Sequence, residues 1–399
     1  MIDEKMHGQV LKNMNTKEEI IPLTWAEIDL DSLAHNVREL RKKIRSDAEI
    51  MVAVKADAYG HGASQVSRTA LENGASFFAV ARIEEAIRLR ADKIDAPMLL
   101  LGHCRAEYVG SALDMDMRVS VNSMDDAQSL STAASVIGKK LRVHVKIDTG
   151  MGRLGILSAG LSSGMHEDPV ENIKKIAAMP YLELEGIFTH FAEADSNRSS
   201  AESQAARFLS ILKEIDGAGL RIKYIHAANS AAIISMQDIH FNMTRPGIAV
   251  YGLPPFDAPG KTEMELKPVM SVKSKIVQLK KVGAGFHVSY GGTYVTERDT
   301  VIATVPVGYA DGYSRHLSNK GIMLVRGQRA KVVGRVCMDL TMLDVGHIPS
   351  AALDDEVVVF GRQGDEYIGV DELALLAGTI SYEIISAVSP RVKRVYLSG

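Results

Sequence analysis

Lys55 lies in the segment VAVKADAYGHG (residues 52–62), where an apolar run ends in a lysine and a glycine-rich loop with Tyr59 follows. An apolar strand would bury the aliphatic stem of Lys55, and burial lowers a lysine pKa and makes the neutral amine available. A neutral amine can condense with an aldehyde. The segment therefore predicts an amine nucleophile at the end of a strand. Taken alone, it also fits a lysine that merely flanks a strand.

A second segment, HVKIDTGMGRLG (residues 144–155), carries Asp148, three glycines and Arg153 after a strand-like run. Glycine lets backbone approach a ligand closely, and a guanidinium can bind a carboxylate with two parallel hydrogen bonds. The pattern indicates a carboxylate-binding loop. The alternative is a glycine-rich turn with a surface arginine.

Three further polar positions follow apolar runs: His190 in IFTHFAEAD, Ser230 in HAANSAA, and Arg245 with Gly247 in RPGIAVYG. A serine hydroxyl and free backbone N–H groups suit a phosphate. His190 alone is more typical of a hydrogen-bonded core histidine than of a catalyst. The order and placement of these segments are more informative than any one of them.

Tyrosines in glycine-flanked turns occur later in the chain, and they can serve as proton donors or bases. They lie in SYGGTY (289–294), VPVGYADGYSR (305–315) and ISYEI (380–384), with GRVCMDLT (334–341) between the last two. Tyr294 and Tyr313 are equally well explained as aromatic residues of edge strands.

Eight short apolar runs alternate with segments of helical period, which predicts parallel βα units. The runs are residues 50–56, 76–81, 98–102, 118–122, 141–148, 184–191, 223–229 and 243–252. Helices are predicted over 63–74, 83–92, 124–136 and 202–219. Eight units predict a (β/α)8 TIM-like barrel, whose chemistry lies at the C-terminal ends of the strands, with phosphate bound after the seventh and eighth.

After residue 267 the helical period fades and short strands with turns replace it, apart from one helical stretch near DELALLAG (371–378). The sequence thus predicts three parts: an N-terminal extension (1–21), the α/β barrel (22–267) and a C-terminal, mainly antiparallel β domain (268–399). The boundary follows a loop rich in proline, glycine and acidic residues (254–268).

The composition favours an ordinary soluble protein of the cytoplasm. The formal net charge of -3 gives no electrostatic reason to expect nucleic acid or an anionic membrane as partner. The two cysteines, Cys104 and Cys337, form neither a disulfide framework nor a metal-ligand spacing, so no metal is expected. The N-terminus lacks the apolar run of a signal peptide, and no run has the length of a membrane span.

The motifs VAVKADAYGHG, DTGMGRLG, THFA, NSA, RPGI, SYGGTY, VGYADGY, CMD and SYE occur in the order found in the alanine racemase family, which the chain resembles over nearly its whole length after residue 22. The resemblance implies a fold-type-III enzyme that uses pyridoxal 5'-phosphate to interconvert L- and D-alanine and supplies D-alanine for peptidoglycan synthesis. It also implies a homodimer with shared active sites.

The resemblance assigns roles residue by residue. Lys55 matches the lysine that binds the cofactor and acts as one base, and Tyr290 matches the second base, delivered by the partner subunit. The phosphate cradle would comprise Tyr59, Ser230, Gly247, Ile248 and Tyr382. Arg245 would face the pyridine nitrogen, with His190 near the ring and hydrogen-bonded to that arginine.

Further matches concern the substrate. Arg153 would orient Tyr290 and bind the substrate carboxylate, and Met338 would contribute its backbone amide from the partner. Lys146 matches a lysine that is carbamylated (N6-carboxylysine) in many members and holds Arg153. The residues implied for the entry corridor are Asp195, Tyr309, Arg315 and Arg335.

Racemisation removes a proton from one face of the α-carbon and returns one to the other, so it needs two bases. Lys55 would take the proton from D-alanine, and Tyr290 would take it from L-alanine. Arg245 gives up its proton with difficulty, which would leave the pyridine nitrogen unprotonated and suppress transamination.

Three alternatives share parts of this pattern. A pyridoxal-phosphate racemase for serine or another small amino acid would have the same fold and bases. A barrel-plus-β-domain decarboxylase would favour an acidic partner for the ring nitrogen, against which Arg245 speaks. A non-catalytic cofactor carrier would resemble the barrel alone, without the β domain that holds Tyr290.

Overall fold

The computed structural model describes residues 22–161, 168–255 and 264–399. The chain divides into two compact units. The barrel unit comprises Glu27–Ser271, Val370–Val388 and Arg394–Gly399; the β unit comprises Val272–Gly369 and Ser389–Lys393 together with residues 22–26. The predicted N-terminal extension (1–21) lies outside the described residues, as do residues 256–263 of the predicted boundary loop.

Eight parallel strands form the barrel, and strand β1 (Trp25–Asp29) precedes them. The barrel strands are β2 (Glu49–Ala53), β3 (Phe77–Val80), β4 (Met98–Leu100), β5 (Met117–Val121), β6 (Leu141–Asp148), β8 (Leu182–Phe188), β9 (Tyr224–His226) and β10 (Met243–Thr244), while the short β7 (Ile156–Leu157) pairs with β6. They run in the order β5-β4-β3-β2-β10-β9-β8-β6, and pairing of β5 with β6 closes the ring. The predicted barrel is confirmed.

The strand sequences explain their burial. Every residue of β3 (FFAV), β4 (MLL) and β5 (MRVSV) is buried, as expected for parallel strands covered on both faces. The ends of the first seven strands differ by at most three residues from the predicted ones, but the eighth ends at Thr244, and residues 248–251 of the predicted run 243–252 form a 3-10 turn instead. Strand β1 was not among the predicted strands, although its alternating burial follows the period of two that is typical of a half-buried strand.

The helices of the barrel unit lie between its strands in the chain, except the last two, which come much later. They are α1 (Leu30–Lys43), α2 (Ala63–Glu72), α3 (Ile83–Ala91), α4 (Val109–Asp114), α5 (Met124–Ile137), α6 (Pro169–Ala177), α7 (Arg198–Gly217), α8 (Ser230–Ser235), α9 (Val370–Ala377) and α10 (Ser381–Ala387), with 3-10 turns at Ala106–Tyr108, Gln237–Ile239 and Ile248–Tyr251. Side chains of Asp29, Ser123 and Asn197 cap the N-termini of α1, α5 and α7. Among the described residues, no helix combines the length and apolarity needed to cross a membrane.

The β unit is built on antiparallel pairs. Its strands are β11 (Met270–Lys275), β12 (Gln278–Val282), β13 (His287–Val288), β14 (Tyr294–Val295), β15 (Thr300–Val305), β16 (Ile322–Val325), β17 (Gln328–Val332), β18 (Thr341–Asp344), β19 (Glu356–Gln363) and β20 (Glu366–Ile368), and β21 (Lys393–Leu397) is the last strand of the chain. The sheet order is β12-β15-β18-β17-β16-β19-β11, β20 pairs with β19, and β13 and β14 form a separate hairpin. Its 3-10 turns are Tyr290–Gly292, Tyr309–Asp311 and Arg315–Leu317. The prediction of a mainly antiparallel domain is confirmed.

Candidate active site

The sequence-predicted residues of the barrel unit follow the C-terminal ends of its strands. Lys55 comes shortly after β2, Asp148 ends β6, His190 follows β8, and Arg245 comes directly after β10. In a closed parallel barrel these ends meet on one face. The fold therefore brings Lys55, the loop that begins at Asp148, and Arg245 to the same side of the barrel.

The turn that carries Lys55 has an unusual backbone. All four residues Ala56–Tyr59 have φ between 52° and 54°, in the left-handed region, where each non-glycine residue costs about 1–2 kcal/mol. Glu85 holds the turn, because its carboxylate accepts hydrogen bonds from the N–H of Ala56 (2.6 Å) and of Ala81 (2.7 Å). This strained, clamped turn fixes the direction in which Lys55 leaves the strand.

The electrostatics around Lys55 favour a neutral amine. Lys55 is half-buried, and burial, followed by the positive charge of Arg153, lowers its pKa. Lys146 on β6 is 4% exposed, and burial together with the charges of Arg153 and Arg245 lowers its pKa to about 8. The strand-end face thus gathers several positive groups and suits an anionic ligand.

Ser230 and Gly247, two residues of the predicted phosphate cradle, lie in direct contact. The Ser230 hydroxyl accepts hydrogen bonds from the N–H of Gly247 (2.9 Å) and of Ala249 (3.3 Å). A Cβ at position 247 would lie 2.7 Å from the Tyr59 hydroxyl, so glycine here lets that hydroxyl approach the backbone closely. Burial raises the pKa of Tyr59 to about 12, which keeps its hydroxyl a donor. The ring of Tyr382 lies 6.1 Å from that of Tyr59.

Arg245 is buried and held on several sides. Its NH1 donates to Nδ1 of His226 (2.7 Å), and its NH2 donates to the carbonyls of Thr189 (2.7 Å) and Ala227 (3.0 Å). NH2 also lies 3.3 Å from Nδ1 of His190, a contact that the resemblance implies. Burial, followed by the charge of Arg153, lowers the pKa of Arg245 to about 9. That value is above neutrality, so the guanidinium stays charged at pH 7.

Asp148 organises the loop that carries Arg153. Its Oδ1 accepts hydrogen bonds from the N–H of Gly150, Met151 and Gly152 at 2.8–3.1 Å, and its Oδ2 accepts from the N–H of Arg153 at 3.0 Å. Burial acts to raise the pKa of Asp148, but these four backbone donors outweigh it, so the pKa is lowered. A charged Asp148 therefore fixes the backbone from which the exposed Arg153 side chain extends.

The β unit holds a second group of predicted residues in one loop cluster. Tyr290, Met338 and Tyr309 are 71%, 53% and 43% exposed. The N–H of Ala310, next to Tyr309, donates to the carbonyl of Met338 (3.0 Å). A Cβ at Gly291, next to Tyr290, would lie 3.9 Å from Cζ of Arg335. The cluster thus presents a phenol, an apolar side chain and a guanidinium together.

Ser289 determines how Tyr290 leaves its strand. The Ser289 backbone has φ 65° and ψ -173°, a region that is nearly exclusive to glycine. Its hydroxyl donates to the carbonyl of Arg335 (2.7 Å) and lies 3.4 Å from Sγ of Cys337. The strained serine therefore joins the Tyr290 loop to the Arg335–Met338 segment.

The residues implied for the corridor belong to different units. Asp195 lies in the barrel unit after β8, half-buried, whereas Tyr309, Arg315 and Arg335 belong to the β unit. The hydroxyl of Ser318 donates to the carbonyl of Arg315 and accepts from the N–H of Val336 (3.1 Å), so the backbones at 315 and 335–336 are linked.

Sequence reasoning did not single out several residues that shape these sites: Glu85, His226, Tyr251 and Ser289. Tyr251 packs its ring 4.8 Å from that of Tyr59 and donates its hydroxyl to the carbonyl of Ala53 (2.8 Å). His226 ends an apolar run, which resembles core. Within residues 22–161, 168–255 and 264–399, no group of three His, Cys, Asp or Glu side chains could hold a metal ion.

A (β/α)8 barrel followed by a mainly antiparallel β domain, with an amine at a strand end, is the architecture of a class of pyridoxal-phosphate-dependent isomerases. The family described as "Alanine racemase, N-terminal domain" matches residues 28–255, and "Alanine racemase, C-terminal domain" matches residues 269–396. The chain belongs to the alanine racemase family, whose members depend on pyridoxal phosphate. The resemblance seen in the sequence is confirmed.

Individual members of the family are similar to this chain over most of their length. The chain is 49% identical over 377 residues to the alanine racemase of Desulfosudis oleivorans, covering 94% of this chain and 97% of that protein. It resembles the alanine racemase structure from Bacillus anthracis with bound L-Ala-P (TM-score 0.87, 38% identity, 95% of this chain and 96% of that one). A third likeness is the Bartonella henselae alanine racemase with covalently bound pyridoxal phosphate (TM-score 0.82, 29% identity, 94% of this chain and 100% of that one).

Proposed function

We propose that this protein interconverts L- and D-alanine with pyridoxal phosphate, using Lys55 and Tyr290 as its two bases. The observation that carries the proposal is the half-buried Lys55 amine, whose pKa is lowered, on the barrel face that also holds the cradle of Ser230 and Gly247. The relatives named alanine racemase support alanine as substrate. The direct test follows the optical rotation of L-alanine, with L-serine as the rival substrate, after addition of the cofactor-loaded protein.

The residues present fit the cofactor. Glycine at 247 lets the Tyr59 hydroxyl lie close to the backbone, and the Ser230 hydroxyl, which accepts from the N–H of Gly247, would have its own proton to donate to a phosphate oxygen. The residues that would hold pyridoxal phosphate are Lys55, Tyr59, His190, Ser230, Arg245, Gly247, Ile248 and Tyr382. When bound, pyridoxal phosphate delocalises the negative charge left on the α-carbon after proton removal. The protein's own part is to place the two proton acceptors and to hold the substrate carboxylate, for which Arg153 and the Met338 amide are the candidates.

Arg245 would control the outcome of the reaction. A charged donor-only guanidinium beside the ring nitrogen would leave that nitrogen without a proton, which limits the lifetime of the carbanion. Arg245→Glu is expected to slow racemisation about 100-fold and to raise the share of substrate lost to transamination. Pyruvate formation measures transamination, and chiral chromatography measures racemisation. Arg221→Glu, at a position with a 91% exposed side chain, is the control; an unchanged ratio of the two products in Arg245→Glu would contradict the role.

Tyr290 and Met338 would reach the barrel face of a partner subunit in a homodimer. The exposure of Tyr290, Met338 and Tyr309 in one cluster supports this arrangement. Each active site would then combine Lys55 of one chain with Tyr290 of the other. A two-fold symmetric dimer has two such sites.

Mixing two inactive variants tests whether each active site combines residues of two chains. When Lys55→Ala and Tyr290→Phe chains are unfolded together and refolded, half of the dimers are mixed, and each mixed dimer regains one intact site. About a quarter of wild-type activity is therefore expected in the mixture, measured against each variant refolded alone. If both groups came from the same chain, no activity would return.

Lys146 is proposed to carry a carbamate formed from its neutral amine and carbon dioxide, with release of a proton. Its pKa of about 8 and the nearby charges of Arg153, Arg245 and Lys55 support this, because a negative group there would be stabilised. With 13C-bicarbonate, the wild type is expected to show a carbamate carbonyl signal that Lys146→Met lacks. Lys139→Met, at a position with a 61% exposed side chain, is the control and should keep the signal. A wild-type spectrum without it would exclude the modification.

In the cell, we infer that the enzyme acts in the cytoplasm and supplies D-alanine for peptidoglycan synthesis. Cys104 and Cys337 are both free thiols, which fits a reducing compartment. Asp195, Tyr309, Arg315 and Arg335 would line the path by which alanine enters. A deletion strain that grows only with added D-alanine is the expected phenotype where this is the only racemase.

A further inference from the structure

A chain of buried titratable groups runs through the barrel interior from Arg245. Nδ1 of His226 lies 2.7 Å from NH1 of Arg245, and Nε2 of His226 lies 2.8 Å from Nδ1 of His144. Nε2 of His144 lies 3.5 Å from Oε2 of Glu185, which in turn accepts from Nε of Arg118 (2.8 Å). Both histidines are 0% exposed.

Chemistry fixes the direction of the protons in this chain. A guanidinium can only donate, so Nδ1 of His226 accepts and its proton is on Nε2. That proton is donated to Nδ1 of His144, and the proton of His144 is then on Nε2, which faces the Glu185 carboxylate at 3.5 Å in an electrostatic contact without hydrogen-bond geometry. Burial is the main cause that lowers the pKa of both histidines, so both stay neutral. Each histidine then has a single proton position, set between the Arg245 cation and the Glu185 anion.

Two local features of the barrel accommodate this arrangement. The pairing of β6 with β8 shifts register after Val143, so that His144 pairs with Gly186 and Glu185 is the extra residue of a bulge. Bulges re-aim a side chain and are rare between parallel strands. A Cβ at Gly186 would lie 2.5 Å from Nδ1 of His144. The bulge turns Glu185 inward, and the glycine leaves the space that the His144 ring occupies.

We propose that His144 and Glu185 are positioning residues that act on Arg245 through His226. The carboxylate at the far end stabilises the proton order in which His226 presents a bare nitrogen to Arg245, and so keeps that guanidinium charged and fixed in direction. The role rests on the proposed function of Arg245. A purely structural polar core would hold the barrel together but would not depend on the proton order.

The test uses the cofactor-loaded protein labelled with 15N-histidine and studied by magic-angle-spinning NMR. In the wild type at pH 7, His144 and His226 are both expected to be neutral with the proton on Nε2; their signals are assigned with His144→Phe and His226→Phe. A proton on Nδ1 of either ring, or a charged ring, would overturn the proposal.

The second arm removes the carboxylate without leaving a lone buried cation. In Arg118→Met/Glu185→Met, a second set of ring signals is expected for His226, with kcat reduced about ten-fold. Arg142→Met/Glu183→Met removes a half-exposed pair on the same two strands and should change neither. Unchanged His226 signals in Arg118→Met/Glu185→Met would overturn the proposed role of Glu185, whatever happens to kcat.

Gly186→Ala provides a variant that keeps every charged group. Its methyl group displaces the His144 ring, so the two-histidine contact is expected to break and the His226 signals to split in the same way. The spectrum reports the proton positions without depending on catalysis. It therefore tests the role of His144 and Glu185 separately from the proposed racemase function. If His144 and His226 both carry their proton on Nε2 but the protein does not racemise alanine, the proton order is supported and the proposed function is wrong.

Discussion

Lys55→Ala is expected to lower alanine racemisation by about 10^4-fold or more. The variant lacks the amine that would hold the cofactor and take the proton from D-alanine. Borohydride treatment, which fixes an amine to a bound aldehyde, is expected to attach pyridoxal phosphate to the wild type and not to the variant. Initial rates from both alanine enantiomers and the absorbance of the washed protein measure the two effects.

Chemical rescue separates a missing amine from a damaged fold. The side chain of Lys55 leaves a strained turn that the Glu85 carboxylate holds by accepting hydrogen bonds from backbone N–H groups, and alanine keeps that backbone. Added methylamine should therefore restore part of the activity in Lys55→Ala. Lys139→Ala, on the surface, should behave as the wild type. Appreciable racemisation by Lys55→Ala without added amine would contradict the assignment.

The barrel could be predicted because its strands are buried on both faces. Runs such as FFAV and MRVSV are apolar throughout, and the segments between them carry a helical period. Strand β1 was missed, since WAEID is short, half polar and directly followed by a helix. Its identity as a strand depends on long-range pairing, which a local pattern does not contain.

Strand-end placement also located the polar residues of the barrel face, but it could not find their supports. His226 ends an apolar run and looks like a core residue, and Glu85 looks like the first turn of a surface helix. The bulge at Glu185 depends on the register between two strands that are far apart in sequence. Such contacts follow from three-dimensional packing. Hydrogen-bond partners are residues that lie close in space, and the hydrophobic period of the sequence does not show which residues these are.

The β unit exposes aromatic and apolar side chains in one cluster, that of Tyr290, Tyr309 and Met338. Tyr290 is 71% exposed, yet it follows a serine held in a backbone region that costs about 1–3 kcal/mol. A strained residue is retained where the orientation of its neighbour matters. This makes Tyr290 the most informative position in the β unit.

Tyr290→Phe is expected to reduce racemisation about 10^3-fold while the protein still binds its cofactor. Lys55 remains in this variant, so it can still remove the α-proton of D-alanine and return a solvent proton to the same face. In deuterated water, D-alanine should therefore gain deuterium at the α-carbon without becoming L-alanine. L-alanine, whose proton faces the missing phenol, should exchange far more slowly.

The asymmetry between the enantiomers is the decisive feature of this experiment. Loss of folding or of cofactor would reduce exchange of D- and L-alanine alike, whereas loss of one base reduces them unequally. NMR of the α-proton combined with chiral chromatography measures exchange and inversion in the same sample. Tyr294→Phe, which removes a hydroxyl from the same loop, serves as the control. Equal exchange of both enantiomers by a Tyr290→Phe protein that is folded and retains its cofactor would mean that the second base lies elsewhere.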